Sequence, residues 1–149
     1  MPDELLRPTI GVGVDMSVRP WRLMSQTYVA FFGGVIASTT IAFLNARRLG
    51  VDPAKRRMIL TLGAVGLVGV VLVFTLLNDG DDMTSGLRVG VRVVAVLICL
   101  AQLRLQRPMD RASQLRGTDY AALWGPGIAV AIGGAIAEAL VLLLVMVVL

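Results

Sequence analysis

Glu138 is the only charged residue among positions 121–149, a stretch otherwise dominated by Ala, Gly, Leu, Val and Ile. A carboxylate facing lipid at the centre of a bilayer costs roughly 2.5 kcal/mol or more, so Glu138 is expected to meet protein or water. In a second apolar stretch, Arg88 and Arg92 stand four positions apart. Continuing at helical spacing collects Ala95, Cys99, Gln102 and Gln106 on the same face, which lipid should not see. Two antiparallel helices rising about 1.5 Å per residue bring Arg92 and Glu138 within reach of a flexible side chain. Such a pair has two chemistries. In one, Glu138 is a protonatable carrier site and a proton or a substrate competes for the pair. In the other, the two form a buried ion pair that holds helices in register. A third arrangement turns Glu138 toward a partner subunit.

The remaining reactive groups point away from catalysis. Ser38, Thr39 and Thr40 lie mid-helix in a chain that contains no His, so no nucleophile has a recognisable base and an enzyme is not expected. Hydroxyls in that setting bond to the backbone carbonyl one turn back. A single cysteine, Cys99, excludes an internal disulfide, and without His the usual ligands for zinc, copper or haem are missing; neither a metal nor a cofactor is expected. Asp79, Asp81 and Asp82 lack the spacing and closing Glu of a calcium loop and read as a solvated turn. Gly11-Val12-Gly13 lacks the rest of a dinucleotide fingerprint and reads as flexible tail. The pI near 10.2 reflects arginines flanking apolar segments, without aromatic interleaving, so nucleic acid is not an expected partner.

The elements that must position these groups follow from composition. With 56% hydrophobic residues, a mean hydropathy of +0.80 and charge gathered in short blocks, the chain reads as an all-α polytopic membrane protein. Stretches at about 25–46, 58–78, 86–106 and 123–148 are each long enough to cross about 30 Å of hydrocarbon. They predict a compact bundle of four transmembrane helices after a polar tail over 1–24. Met1 to Arg22 holds no compact apolar segment before a cleavage site, so no signal peptide is expected. Gly50 suits a helix C-terminus, and Asp52-Pro53 suits the N-cap and first position of the next helix. Small and polar strips suited to close packing occur on every helix: Gly34, Ser38, Ala42 and Asn45; Gly63, Gly66 and Gly69; the Arg88 to Gln106 face; and Gly127, Ala131, Gly134, Glu138 and Val141.

Orientation follows from Lys and Arg, which concentrate on the cytoplasmic side. Arg47, Arg48, Lys55, Arg56 and Arg57, with Arg104, Arg107, Arg111 and Arg116, set nine basic residues against the three of the tail. Loops 47–57 and 104–120 are therefore expected inside and both termini outside. Trp21 and Tyr28 are expected at one interface, Tyr120 and Trp124 at the other. The basic cluster of the first loop also suits anionic lipid headgroups, at about 1 kcal/mol per residue, although topology alone already requires it.

Phe31-Phe32-Gly33-Gly34 and Asn45-Ala46-Arg47-Arg48-Leu49-Gly50 loosely resemble the corresponding parts of a diffuse group of small, uncharacterised four-helix membrane proteins of bacteria. That resemblance covers the first hairpin, implies a bacterial inner-membrane setting and implies no activity. The packing strips and the near absence of a soluble domain favour a non-enzymatic accessory or structural subunit, partnered by another membrane protein or by its own copies. The alternative is a minimal transporter or channel, proton-coupled through Glu138 and the polar face of the third helix.

Overall fold

The computed structural model describes residues 17–77 and 85–148. The Asp79 to Asp82 turn and the Gly11 to Gly13 segment lie outside the described residues. A single 3-10 turn, Leu23–Ser25, leads into α1 (Gln26–Arg48), followed by α2 (Pro53–Leu77), α3 (Ser85–Leu115) and α4 (Trp124–Val148). All four helices are long and apolar enough to cross a membrane. The predicted cap between the first two is present. Gly50 takes φ 68°, and the N–H groups of Gly50 and Val51 donate back to Arg47 O at 3.2 Å and Ala46 O at 2.9 Å, closing the helix end in the glycine-terminated motif. Asp52 Oδ1 accepts the Ala54 N–H at 2.6 Å. α2 therefore begins at Pro53 rather than near 58. α3 runs on past the expected 106 to a second glycine cap, with Gly117 at φ 68° and Thr118 N–H donating to Ser113 O at 3.2 Å.

The main departure lies inside α1. Gly34 takes φ 76°, ψ −164°, a combination essentially confined to glycine, and the chain reverses there. A continuous helix over Gln26–Asn45 would rise about 28 Å, yet the Trp21 N–H donates to Asn45 Oδ1 at 2.7 Å. Val29 shares a buried cluster with Ala37 and Ile41, and Ala30 shares one with Ala42 and Ala46. A Cβ built on Gly33 would overlap the Ala37 methyl and approach the Ala131 Cα to 2.6 Å. The segment expected to be one span over 25–46 is thus a helical hairpin: a short arm over 26–33, a tip at Gly33-Gly34, and a return arm over 35–48. Hydropathy cannot register a reversal, because both arms are apolar.

This hairpin is the centre of the molecule. α4 packs along it through the expected small strip, where a Cβ on Gly134 would meet Ala37 N at 2.7 Å and one on Gly127 would meet Val29 Cγ2 at 3.4 Å. α2 reaches it at Gly66, which faces Val35, and at Gly63, which lies against Thr39. α3 packs on both the hairpin and α2, whereas among the described residues α3 and α4 do not pack on each other. Glycine and alanine at these seams let backbones approach closely, which replaces hydrophobic driving force where the solvent is itself apolar.

The reversal places the start and end of α1 at the same end of the bundle. Trp21 is buried there, with the Arg48 guanidinium 3.9 Å above its ring and Arg48 Nη1 donating to Arg19 O at 3.1 Å. The Ala121 N–H donates to Pro20 O at 2.9 Å. The expected polar tail over 1–24 therefore already joins the fold at Arg19. Trp21, Tyr120 and Trp124, expected at opposite interfaces, share one end, since Arg22 stacks 5.6 Å over the Tyr120 ring. Arg19, Arg22, Arg47, Arg48, Lys55, Arg56 and Arg57 gather at this end together with the arginines of the last turns of α3.

Candidate functional site

The return arm of the hairpin starts at Val35, and like any helix start it has N–H groups without partners within the helix. Glu138 supplies the acceptor. Its Oε2 takes the Val35 N–H at 2.8 Å, and the Ile36 N–H also faces the carboxylate. Glu138 is 5% exposed. A carboxylate at a helix N-terminus meets the positive end of the helix dipole as well as the free donors. Gly34 is required for this contact twice over, because its φ excludes other residues and because a Cβ there would overlap the carboxylate. The expectation that Glu138 pairs directly with Arg92 needs correction: no ion pair closes between them, and the oxygens are committed to the backbone. Arg92 stands close enough to act on Glu138 through its charge, while its buried Nη1 has no hydrogen-bond partner.

Above the tip, on the side away from the basic end, the hairpin stops and the outer helices continue. The space left is a cavity of about 420 Å³, lined by Phe74 from α2, Arg88, Val91 and Arg92 from α3, and Glu138 and Leu142 among other residues of α4. Helical rise sets Glu138 about 21 Å along α4 from Trp124 and about 15 Å from Val148. The cavity thus reaches roughly from the far end to the middle of the bundle. Arg88 is exposed at its mouth and Arg92 is half-buried one turn deeper. Two guanidinium groups and one carboxylate face a wall that is otherwise hydrocarbon.

Below the tip, toward the basic end, polar side chains line the contact between the hairpin and α3. Gln102 Nε2 donates to Thr39 Oγ1 at 2.9 Å and to Ile59 O at 3.1 Å. Asn45 Nδ2 donates to Gln106 Oε1 at 3.1 Å. Cys99 is fully buried beside Thr27. The predicted face of α3 is therefore borne out for Ala95, Cys99, Gln102 and Gln106, all buried. Five polar atoms in this seam are buried without partners: both amide atoms of Gln26, Thr27 Oγ1, Gln102 Oε1 and Gln106 Nε2. Ser38 Oγ donates to Val35 O at 3.0 Å and Thr40 Oγ1 to Ile36 O at 2.8 Å, the expected backbone bonding, whereas Thr39 is drawn off to Gln102. At the basic end the seam closes on Asp110, which accepts from Tyr120 at 2.9 Å and from Gln114 at 2.9 Å. Burial pushes the Tyr120 phenol above its ordinary value, and Asp110 adds to that shift.

Sequence reasoning found Arg88, Arg92, Gln102 and Glu138 but missed Gln26, Thr27 and the backbone N–H groups of Val35 and Ile36. The available signal was Gly33-Gly34 in mid-segment, with polar residues disposed on both sides: Gln26 and Thr27 before, Ser38, Thr39 and Asn45 after. Of the expected packing strip, Gly34, Ser38, Gly127 and Gly134 are buried and Ala131 half-buried. The headgroup candidates Arg47, Lys55 and Arg57 are exposed, and Arg48 and Arg56 half-buried. Comparison with known proteins gives no match: no family model, no curated protein and no solved structure matches this chain.

Proposed function

We propose that this protein is a minimal proton-linked membrane transporter with Glu138 as its protonatable centre. The observation that carries the reading is the position of that carboxylate, at the tip of a reversed helix, with a cavity opening on one side and a polar seam approaching on the other. Non-helical backbone at membrane depth is tolerated where protein buries it or water lines it. Half-helix N-termini aimed at a charged group mark substrate and ion sites in secondary transporters. The unpartnered seam atoms are of the kind that bound water bridges, and the seam ends about 6 Å from the tip, counting from Thr39 to Val35 at helical rise.

In this reading α2, α3 and α4 cross the inner membrane of a bacterium, and the hairpin enters from the basic, cytoplasmic side without crossing. Arginines at residues 19 and 22 then stop opposing the charge rule. The N-terminal segment lies inside, the C-terminus outside, and the basic ring at the inner surface meets anionic headgroups. The accessory-subunit reading rested on strips of small residues awaiting a partner. Gly127 and Gly134 of α4 and Gly63 and Gly66 of α2 are occupied by the hairpin, and Gly69 lies against Val94 of α3, so these strips no longer call for a partner.

The test is proton flux in proteoliposomes with an internal pH-sensitive dye, an imposed pH gradient and a mixture of small organic and inorganic anions on both sides. Wild-type protein should dissipate the gradient faster than empty liposomes, and Glu138→Gln should not. Equal rates for the wild type and Glu138→Gln would overturn the proposal.

A further inference from the structure

We infer that the cavity above the hairpin tip binds a monoanion with an apolar body, its head held by Arg92 and Arg88, and that a proton joins Glu138 as the anion enters. This rests on the transport reading and names its substrate class. The cavity faces two guanidinium groups and one carboxylate, and the carboxylate is already engaged by the Val35 N–H at 2.8 Å. Arg92 Nη1 is buried and has no acceptor, which is costly for a charged donor. The missing partner is an acceptor bearing about one negative charge, which a guanidinium binds in a fork geometry.

The walls decide the rest of the ligand. Phe74, Val91, Leu142, Leu143 and Met146 offer no further donors, so a highly hydrated dianion such as sulfate would lose its water without compensation. A carboxylate carrying a hydrocarbon body suits both halves of the site. The volume of about 420 Å³ falls within the range of pockets for small organic ligands. Because α3 and α4 do not pack on each other, the body has two routes of arrival: from water at the cavity mouth, as a short-chain acid, or sideways from the bilayer, as a fatty acid.

The coupling follows from the neighbours of Glu138. Facing it are Arg88 and Arg92 from α3, the N–H groups of Val35 and Ile36 from α1, and the non-titrating Phe74 from α2. An anion on Arg92 puts a second negative charge beside Glu138, and two carboxylates sharing a site of low polarity do not both stay ionised. A proton on Glu138 removes that repulsion and leaves the anion to the two guanidinium groups. The protonated carboxyl still accepts the Val35 N–H through its carbonyl oxygen, so the hairpin tip is kept.

The experiment is isothermal titration of the purified full chain in detergent with sodium butyrate, with sodium oleate in matched micelles, and with sodium sulfate as control. Each titration is run in two buffers of different ionisation enthalpy, so that proton uptake is read directly. Wild type should bind butyrate or oleate but not sulfate, with about one proton taken up per anion. Glu138→Gln should bind without proton uptake. Arg92→Gln should bind about tenfold more weakly or worse; if that variant does not fold, Arg92→Lys, which keeps the charge but loses the fork, should still weaken binding. Oleate alone saturating the site identifies a membrane-borne ligand, and butyrate saturating it identifies a soluble one. Failure of both to bind overturns the inference, as does wild-type affinity in the folded Arg92 variants. Proton flux that still depends on Glu138 in that case leaves the transport reading standing, whereas flux indifferent to Glu138 removes it.

Discussion

Gly34→Ala is the substitution that tests the hairpin most directly. Two costs are separable. Alanine at φ 76°, ψ −164° enters a region essentially reserved for glycine, at about 1–3 kcal/mol. Its Cβ also overlaps the Glu138 carboxylate, which must move away from the Val35 N–H it accepts at 2.8 Å; losing a charge-assisted bond of this kind costs about 1.5–3 kcal/mol. Together they amount to about 2.5–6 kcal/mol. The matched control is Gly133→Ala in α4, where a Cβ meets nothing within 4 Å and helix propensity predicts an effect between zero and about 1 kcal/mol of stabilisation. Unfolding in mixed micelles, titrated with a denaturing detergent and followed by the fluorescence of buried Trp21 and exposed Trp124, reads both variants on one scale. Were Gly34→Ala to fall within about 1 kcal/mol of Gly133→Ala, the reversal at Gly34 and its carboxylate cap would be wrong, since a straight α1 has no use for glycine at that position.

Two further outcomes follow from the same geometry. Glu138→Gln keeps an acceptor for the Val35 N–H and should lose less than about 1.5 kcal/mol, whereas Glu138→Leu leaves the Val35 and Ile36 donors bare and should lose about 2–5 kcal/mol; equal stability of the two in the same micelle titration would mean that the carboxylate is not a cap. In the proposed topology three helices cross and the hairpin does not, so reporter fusions at the two ends should report opposite sides of the membrane. Reporters on the same side would restore α1 as a span.

Most of the helical architecture is legible in the residues. The four apolar stretches, the Gly50 and Asp52-Pro53 junction, the buried Gln102 face of α3 and the small strip of α4 all follow from periodicity and cap chemistry. What escapes is of one kind. Hydropathy sums a property that both arms of the hairpin share, so it reads 25–46 as one span, although the mean hydropathy of the best window in Leu23–Arg48, 1.7, is below the 2.6 of the windows in α2 and α4. Once the reversal is missed, Trp21 is sent to the end of the bundle opposite Tyr120, whereas the two lie at the same end. The partner of Glu138 escapes for a second reason: charge reasoning looks for a cation, and the strongest donors here are backbone N–H groups that only a broken helix exposes. Arg92 was the correct neighbour with the wrong bond.

The hairpin also constrains how the chain is made. Val35 and Glu138 are 103 positions apart in sequence, and Asn45 and Gln106 are 61 apart, so at 5–20 residues per second the ribosome delivers the carboxylate roughly 5–20 s after the backbone it must cap. During that interval the tip carries uncapped N–H groups that hydrocarbon will not accept. In the proposed membrane topology the nascent first segment therefore has to wait in a hydrated or protein-lined place, at the membrane surface or within the insertion machinery, until α4 emerges. Its final docking is then a late assembly step, set by the last helix to be synthesised and not by the first.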